Sequence, residues 1–322
     1  MARSVSAAEV ARLAGVSGQT VSRVANGSAR VDPDTRVRVE AAMAELGYRP
    51  NRAARALRTG RTRTLGVLVR TLASVGNARM LEAVVAAGAA QDHAVLVLTL
   101  ADDTPEALAA AYRSLDDHGV DGAIALNEAT PTVRAGAAPV FPLVAVDAPP
   151  AAGLTAIASD HAGGAAAAVA HLRAAGHTSV HHLAGPAGSY AADERERGWR
   201  EAQPGARRPD PVRGDWTSTS GFARGRELAA DPAVTAVFAA NDQMALGLLR
   251  ALREAGRGDV AVVGFDDVAD AAEFQPPLTT VAQDFDLLGR RAVSLLLAAI
   301  QGDPDTPDRT LVPTRLVVRE SA

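Results

Sequence analysis

The 322-residue chain contains no cysteine, and all 33 of its basic residues are arginine, which leaves no lysine at all. Without thiols there are no disulfides, no thiolate metal sites and no cysteine nucleophile. Without lysine there is no P-loop lysine, no Schiff base and no lysine general base. Codon bias is the simplest reason for the missing lysine. Aromatic residues are scarce too, at 3%, with two tryptophans in the whole chain. No apolar run approaches the roughly 18 residues needed to span a bilayer, and the arginine-bearing N-terminus lacks a signal peptide's apolar core. A cytoplasmic protein with no membrane partner is therefore expected. No nucleophile elbow, HExxH or glycine-rich dinucleotide fingerprint occurs, so neither an enzyme nor a cofactor is expected.

Hydrophobic residues are plentiful, at 48%, which suffices for more than one domain of roughly 100–200 residues. Charge is unevenly spread. Up to Arg61 there are 11 Arg against 5 acids, a net +6, whereas the remainder carries 22 Arg against 32 acids, a net −10. A basic head on an acidic body points to a polyanionic partner for the head alone.

That head contains Val16 to Gly27, VSGQTVSRVANG. At 100° per residue Thr20, Val21 and Val24 share one side of a helix, and Gly18, Gln19, Ser22 and Arg23 share the other. Ser17 is a natural N-cap and Asn26-Gly27 a natural stop. Ser6 to Ala14 reads as a preceding helix, joined through the turn Gly15-Val16-Ser17, and the pair forms a helix-turn-helix. A third helix follows Asp32-Pro33-Asp34, with Val37, Val39, Ala41, Ala42 and Leu46 expected to pack and Gly47 to stop it. Glutamine matches the adenine edge, arginine matches O6 and N7 of guanine, and serine hydroxyls suit phosphates. Gln19 and Arg23 near a helix start are thus placed as major-groove reading requires. Next comes RPNRAARALR, Arg49 to Arg58, with four arginines and one isolated Leu57. It is too short and too polar to stay helical alone.

From Thr64 onward, apolar strands alternate with helices. The expected elements run from Leu65–Val69 and Met80–Ala90 through Ala94–Leu100, Pro105–Leu115, Ala123–Leu126 and Leu143–Val146. A second series comprises Ala162–Ala174, Val180–Ala184, Glu194–Ala202, Ala236–Ala239, Gln243–Arg253, Val260–Phe265 and Leu287–Ala299. Continuous apolar strands between helices mean parallel sheets covered on both faces, with ligands at the carboxyl ends of strands. Polar groups do follow those ends: Asp147, Asn241-Asp242 and Asp266. Paired carboxylates and amides with an aromatic face such as Trp216 suit the hydroxyls and C–H face of a sugar. Singly, each is better read as a helix cap or a solvated loop residue. Two carboxyls in a cleft could also suggest glycoside hydrolysis. His181 and His182 fall on opposite faces of a strand, which argues against a metal site.

The head motif VSGQTVSRVANG, the run TRVRVEAAMAELGYRPNRAARALRTGRT and the core motifs AANDQMALG, VVGFDD and PPLTTVAQDF together resemble the LacI/GalR family of transcription factors over the whole length. The resemblance implies an all-α helix-turn-helix head (1–48), a hinge helix and linker (49–61) and a core (62–322). That core is an α/β periplasmic-binding-protein-like fold of two doubly wound parallel-sheet subdomains, about 62–159 with 285–311 and about 160–284 with 312–322. In the head it implies base-reading by Gly18, Gln19 and Arg23. Ser17, Thr20, Ser22, Asn26, Tyr48, Asn51 and Arg52 complete the DNA-contacting set, and Leu57 becomes a wedge into the minor groove of a pseudo-palindromic operator. Gly18 departs from the tyrosine of lac-type members. In the core it implies effector contacts from Asp147, Arg195, Trp216, Asn241, Asp266, Gln283 and Phe285. Arg70 and Ser74 stand where lac-type members present small and apolar residues.

The expected function is therefore a homodimeric repressor of carbohydrate-utilisation genes, released by a sugar effector that is galactoside-like. Another sugar, a sugar acid, a larger glycoside or a corepressor remains open. A sugar-binding protein with no regulatory role is the alternative from another class. The chain ends VVRESA without a leucine-rich tetramerisation helix, so a dimer is expected.

Overall fold

In a computed structural model, residues 5–25, 28, 30–48, 60–102, 104–149, 154–203, 209–304, 307 and 309–322 are described. The chain divides into two compact units, residues 1–62 and 63–322.

Among its described residues the first unit has helices α1 (Ala7–Ala14), α2 (Gly18–Ala25) and α3 (Pro33–Leu46). A capping box opens α1: Ser6 Oγ accepts from Glu9 N and the Glu9 carboxylate accepts from Ser6 N at 2.7 Å. Gly15 closes it at φ +66°, a left-handed conformation that favours glycine and turns the chain into α2. Ser17 Oγ caps α2 by accepting from Thr20 N at 3.1 Å. Asp32 caps α3 through Thr35 N, with Pro33 at the first helical position. Val10, Ala11, Ala14, Val21, Val24, Val39 and Ala42 form the core between them. Val37 and Ala41, expected to pack, are exposed instead, because α3 turns only Val39, Ala42 and the partly buried Met43 and Leu46 inward.

The second unit is two three-layer lobes. The first lobe begins with β1 (Thr64–Val69), α4 (Val75–Ala90), β2 (Ala94–Thr99) and α5 (Pro105–Asp117). It continues with β3 (Gly122–Leu126), α6 (Thr130–Ala135), β4 (Leu143–Val146) and β5 (Thr155–Ser159). The second lobe follows as α7 (His161–Ala174), β6 (His181–Ala184), α8 (Tyr190–Glu201), β7 (Val212–Arg213), α9 (Ser218–Ala230) and β8 (Ala236–Ala239). It then adds α10 (Asp242–Glu254), β9 (Ala261–Asp266) and β10 (Thr279–Ala282). The chain returns to the first lobe for α11 (Phe285–Gln301) and β11 (Arg309–Val312), and ends in the second with β12 (Arg315–Val317).

The first sheet has the order β11-β5-β4-β3-β1-β2 and is parallel throughout. The second has the order β12-β10-β9-β8-β6-β7 and is parallel except for β12. Fully buried runs such as Leu65, Val67, Leu68 and Val69 show why the central strands read as continuous apolar segments. Leu287–Ala299 follows the second-lobe strands in sequence, yet α11 packs Leu288, Ala292, Val293 and Leu296 on the first sheet.

Several elements carried no legible signal. Helix α9, STSGFARGRELAA, has two glycines and no long apolar stripe, because it packs closely on α10 through small residues. Strands β5, β7, β10, β11 and β12 are two to five residues long and did not stand out from their loops. Among the described residues no helix is long and apolar enough to cross a membrane.

Candidate functional sites in the helical unit and the core

On α2 the inward residues Val21 and Val24 are buried, and Gly18, Gln19, Ser22 and Arg23 are exposed. The helix therefore presents a glycine, an amide, a hydroxyl and a guanidinium from its first two turns, with no apolar side chain among them. The hydroxyls of Ser17 and Thr20 lie 2.9 Å apart in a mutual hydrogen bond at the helix start. Tyr48 packs partly buried against the three-helix core. Asn26, Asn51, Arg52 and Leu57 lie outside the described residues.

The second site is built at the places where both sheets reverse their winding. In the first sheet β1 sits between β2 and β3, so the connections leaving β1 and β3 diverge, and a crevice opens at their carboxyl ends. Arg70 to Ser74 and Asn127 emerge there. In the second sheet β6 sits between β7 and β8, and Gly185 to Ser189 and Asn241 emerge at the matching crevice. Two adjoining cavities fill the space. An inner one of about 50 Å³ touches Ser74, Asp147, Arg195, Trp216, Asn241, Asp266, Gln283 and Phe285. An outer one of about 930 Å³ includes Arg70 and shares Ser74, Ser189 and Trp216 with the inner. The structure thus gathers every effector position expected from the sequence around two connected chambers, Arg70 standing in the outer one only.

The inner wall is held by buried charge. Arg195, on α8, is 4% exposed, and its Nη2 donates to Asp266 Oδ1 at 3.4 Å. Its Nη1 donates to the Ala240 carbonyl, and its guanidinium lies 3.9 Å from the Phe265 ring centre. Gln283 Nε2 donates to the same Asp266 oxygen at 2.7 Å. Burial pushes the Asp266 carboxyl up, and the Arg195 charge pulls it back. Asn241 serves as the cap of α10, its Oδ1 accepting from Met244 N at 2.9 Å, while its Nδ2 donates to the Trp216 carbonyl at 3.0 Å. Among the buried side-chain polar atoms without a hydrogen-bond partner are Trp216 Nε1 and Gln283 Oε1. Both belong to residues of the inner wall, where a ligand's hydroxyls would satisfy them.

The backbone is strained in the same place. Asn127, Asp147, Trp216 and Asp266, all touching the inner cavity, are non-glycine residues at positive φ, from +43° to +112°. Such conformations cost about 1–3 kcal/mol each and collect at ligand sites. The indole of Trp216 lies flat against Gly185, where any Cβ would collide with the ring.

Three residues around the site carried no signal in the sequence. Asn127 hydrogen-bonds Asn77 of α4 through its side chain. His161 bonds Asp147 from behind the wall, and Gly185 backs the tryptophan. Positive φ at a non-glycine residue and the flatness of an indole contact leave no mark on a single sequence. Next to Asn241, Asp242 turns away from the cavity, accepting from Thr280 Oγ1 at 2.6 Å and Val268 N at 2.9 Å, and burial pushes its carboxyl up to about 8. His182 is buried between the rings of Trp199 and Phe238 and bonds the Phe238 carbonyl. His181 is partly buried beside it, and no group of three or more potential metal ligands occurs among the described residues.

The description of bacterial regulatory proteins of the lacI family fits residues 7–51, and that of a periplasmic binding protein-like domain fits residues 169–322. The chain is 36% identical over 326 residues to the lactose operon repressor of Escherichia coli (strain K12), covering 97% of this chain and 89% of that protein.

The chain belongs to the lacI family.

It is also 38% identical over 339 residues to the HTH-type transcriptional regulator CelR of Thermobifida fusca, covering 97% and 96% of the two chains. Among solved structures, a lac repressor dimer bound to operator and the anti-inducer ONPF superposes with a TM-score of 0.84 at 36% identity, over 99% of both chains. A CelR–cellobiose complex superposes with a TM-score of 0.71 at 34% identity, over 99% of this chain and 100% of that one. The lacI-family assignment accounts for both halves of the molecule, the small helical unit and the two-lobed core.

Proposed function

We propose that this lacI-family protein is a sugar-responsive transcriptional repressor. It acts in the cytoplasm as a homodimer that sets two α2 helices on a pseudo-palindromic operator. The observation that carries the DNA half is the exposed run Gly18, Gln19, Ser22 and Arg23 on a helix whose other face is core. Leu57 is the minor-groove wedge between the two heads. Dimerisation is supported by kinship with a lac repressor solved as a dimer on its operator.

The core half is a binding function. Asp266 and Asp147 are committed to Arg195 and His161, so these carboxylates are arranged to hold hydroxyls rather than to exchange protons with a scissile bond. The effector proposed is galactoside-like, supported by Trp216 and the Gln283-Asp284-Phe285 turn beside Asp266. A second reading, a larger glycoside such as a β-linked disaccharide, is favoured by the 930 Å³ outer chamber and by kinship with a regulator solved with cellobiose. Release of DNA then requires that the effector bind the released state more tightly than the DNA-bound one.

Thermal unfolding against lactose, other galactosides, cellobiose, sugar acids and purines tests this. A ligand at about 100 times its Kd adds about 2.7 kcal/mol of stability. A shift with galactosides supports the first reading, a shift with cellobiose alone the second, and a shift with purines alone overturns both. Asp266→Ala should abolish the response to the sugar that works while operator binding persists; loss of both would assign Asp266 a structural role.

A further inference from the structure

His161 touches neither cavity, yet it is 1% exposed and both its ring nitrogens are engaged. A guanidinium nitrogen can only donate, so His161 Nδ1, 3.3 Å from Arg195 Nε, must be an acceptor. The ring proton then belongs on Nε2, which donates to Asp147 Oδ1 at 2.8 Å. One neutral tautomer satisfies both bonds at once, and no other does.

Its two partners belong to different lobes. Asp147 leaves β4 of the first lobe at φ +54°, whereas Arg195 stands on α8 of the second. His161 itself opens α7 two residues past the end of β5, where the chain crosses between lobes. A second tie covers the same ring. Tyr190 packs edge-on to His161 with ring centres 6.3 Å apart, and its hydroxyl accepts from Arg309 Nη2, on β11 of the first lobe, at 3.1 Å. A rotation of one lobe against the other about an axis that does not pass through the bond between Asp147 and His161 stretches it.

We propose that His161 is a positioning residue that holds Asp147 and Arg195 in register across the two lobes, so that the effector site exists as one site only while this imidazole bridges it. The proposal rests on the effector reading above. It assigns His161 no contact with the ligand.

The nitrogen bookkeeping supplies the test. A glutamine amide reaches the place of Nε2 and can still donate to Asp147, whereas an asparagine amide reaches only the place of Nδ1. His161→Phe keeps the ring and loses both bonds. In the full-length protein, hydrogen exchange of the backbone amides of Asp147 and Asp160 at the lobe crossover should quicken about tenfold in His161→Phe, with amides of β1, β3 and β8 unchanged. His161→Gln should restore them and His161→Asn should not. Uniform quickening of all amides in all three variants, or no change at the crossover in His161→Phe, overturns the bridge.

With lactose and cellobiose as probes, the Kd of whichever binds should weaken about tenfold in His161→Phe and recover within about threefold in His161→Gln. Equal affinities in all variants overturn the positioning role even if the exchange pattern holds. Binding of neither probe to the unaltered protein counts against the effector reading alone, and the exchange data still decide the bridge.

Discussion

The two functional regions of this protein are built on opposite plans. In the helical unit the outward residues of α2 are neighbours in sequence, lie on one face of one helix and are exposed. In the core the gathered residues run from Ser74 to Phe285 and come from both lobes, with Asp147, Arg195, Asn241 and Asp266 buried among partners that fix them and the rest half-buried. A surface helix can present side chains to an outside partner without involving the fold. A cleft between two sheets cannot, because its buried charges must be held by the protein before a ligand arrives, and only a few polar atoms, Trp216 Nε1 and Gln283 Oε1 among them, are left for the ligand. The difference predicts that changes in the helical unit act on recognition alone, and that changes in the cleft act on stability as well.

The sharpest way to break that contrast is Arg195→Ala. It leaves Asp266 buried without its charge partner, and removing one member of a buried pair costs about 3–5 kcal/mol. Urea unfolding should show the midpoint falling with little change in slope; a loss under about 1 kcal/mol would mean that water reaches Asp266 freely. Gly185→Ala is the next largest. The added methyl collides with the Trp216 indole and should cost about 1–3 kcal/mol as overpacking. It should also move the tryptophan emission and weaken sugar binding. Unchanged emission would show that the indole is not anchored there.

The same contrast explains what was legible beforehand. The α2 reading needed only helical periodicity, which a sequence carries directly, and both its buried and its exposed residues fall where the 100° spacing puts them. The alternating strands and helices also showed themselves, because central parallel strands must be apolar on both faces. Helix α9 and the short strands did not, since close packing through small residues and edge pairing have no periodic signature. In the cleft, Asp147, Asn241 and Asp266 were legible as polar residues after the ends of apolar strands. Their partners depend on contacts between segments far apart in the chain: His161 with Asp147, Gly185 with Trp216, Asn77 with Asn127. Asn241 is both the helix cap that its position suggested and a wall of the cavity, so those two readings are not exclusive.

Arg23→Ala sharpens the comparison from the other side. The side chain is exposed, so stability should stay within about 0.5 kcal/mol. Operator affinity should fall by about 1–3 kcal/mol, with specificity relaxed at one base position. Titration of labelled operator variants at fixed salt measures this. A uniform loss across all variants would make Arg23 a phosphate contact and leave base reading to Gln19.

The last comparison sets two neighbours in the cleft wall against each other, read as a slope with pH. Asn241 faces the cavity, while Asp242 is buried behind it and holds the turn at Val268 with a carboxyl pushed up to about 8 from an ordinary 3.8. Between those values the folded chain keeps a proton that the unfolded chain has released, so the folded state binds more protons. Stability from this group is therefore full below about 4 and is lost as pH rises through about 8, with a slope of at most about 1.4 kcal/mol per pH unit. His182 acts in the opposite sense. Burial lowers it to about 4, so the unfolded chain binds the extra proton and stability falls as pH drops from 6.5 toward 4. The two slopes oppose each other below about 6.5, and of the two only Asp242 acts from there to about 8. Asp242→Asn, which keeps the shape of the protonated acid, should flatten the decline of the unfolding midpoint across that upper window and, with the opposing slope gone, steepen the His182 fall below about 6.5. An unchanged decline would place the titrating group elsewhere in the core.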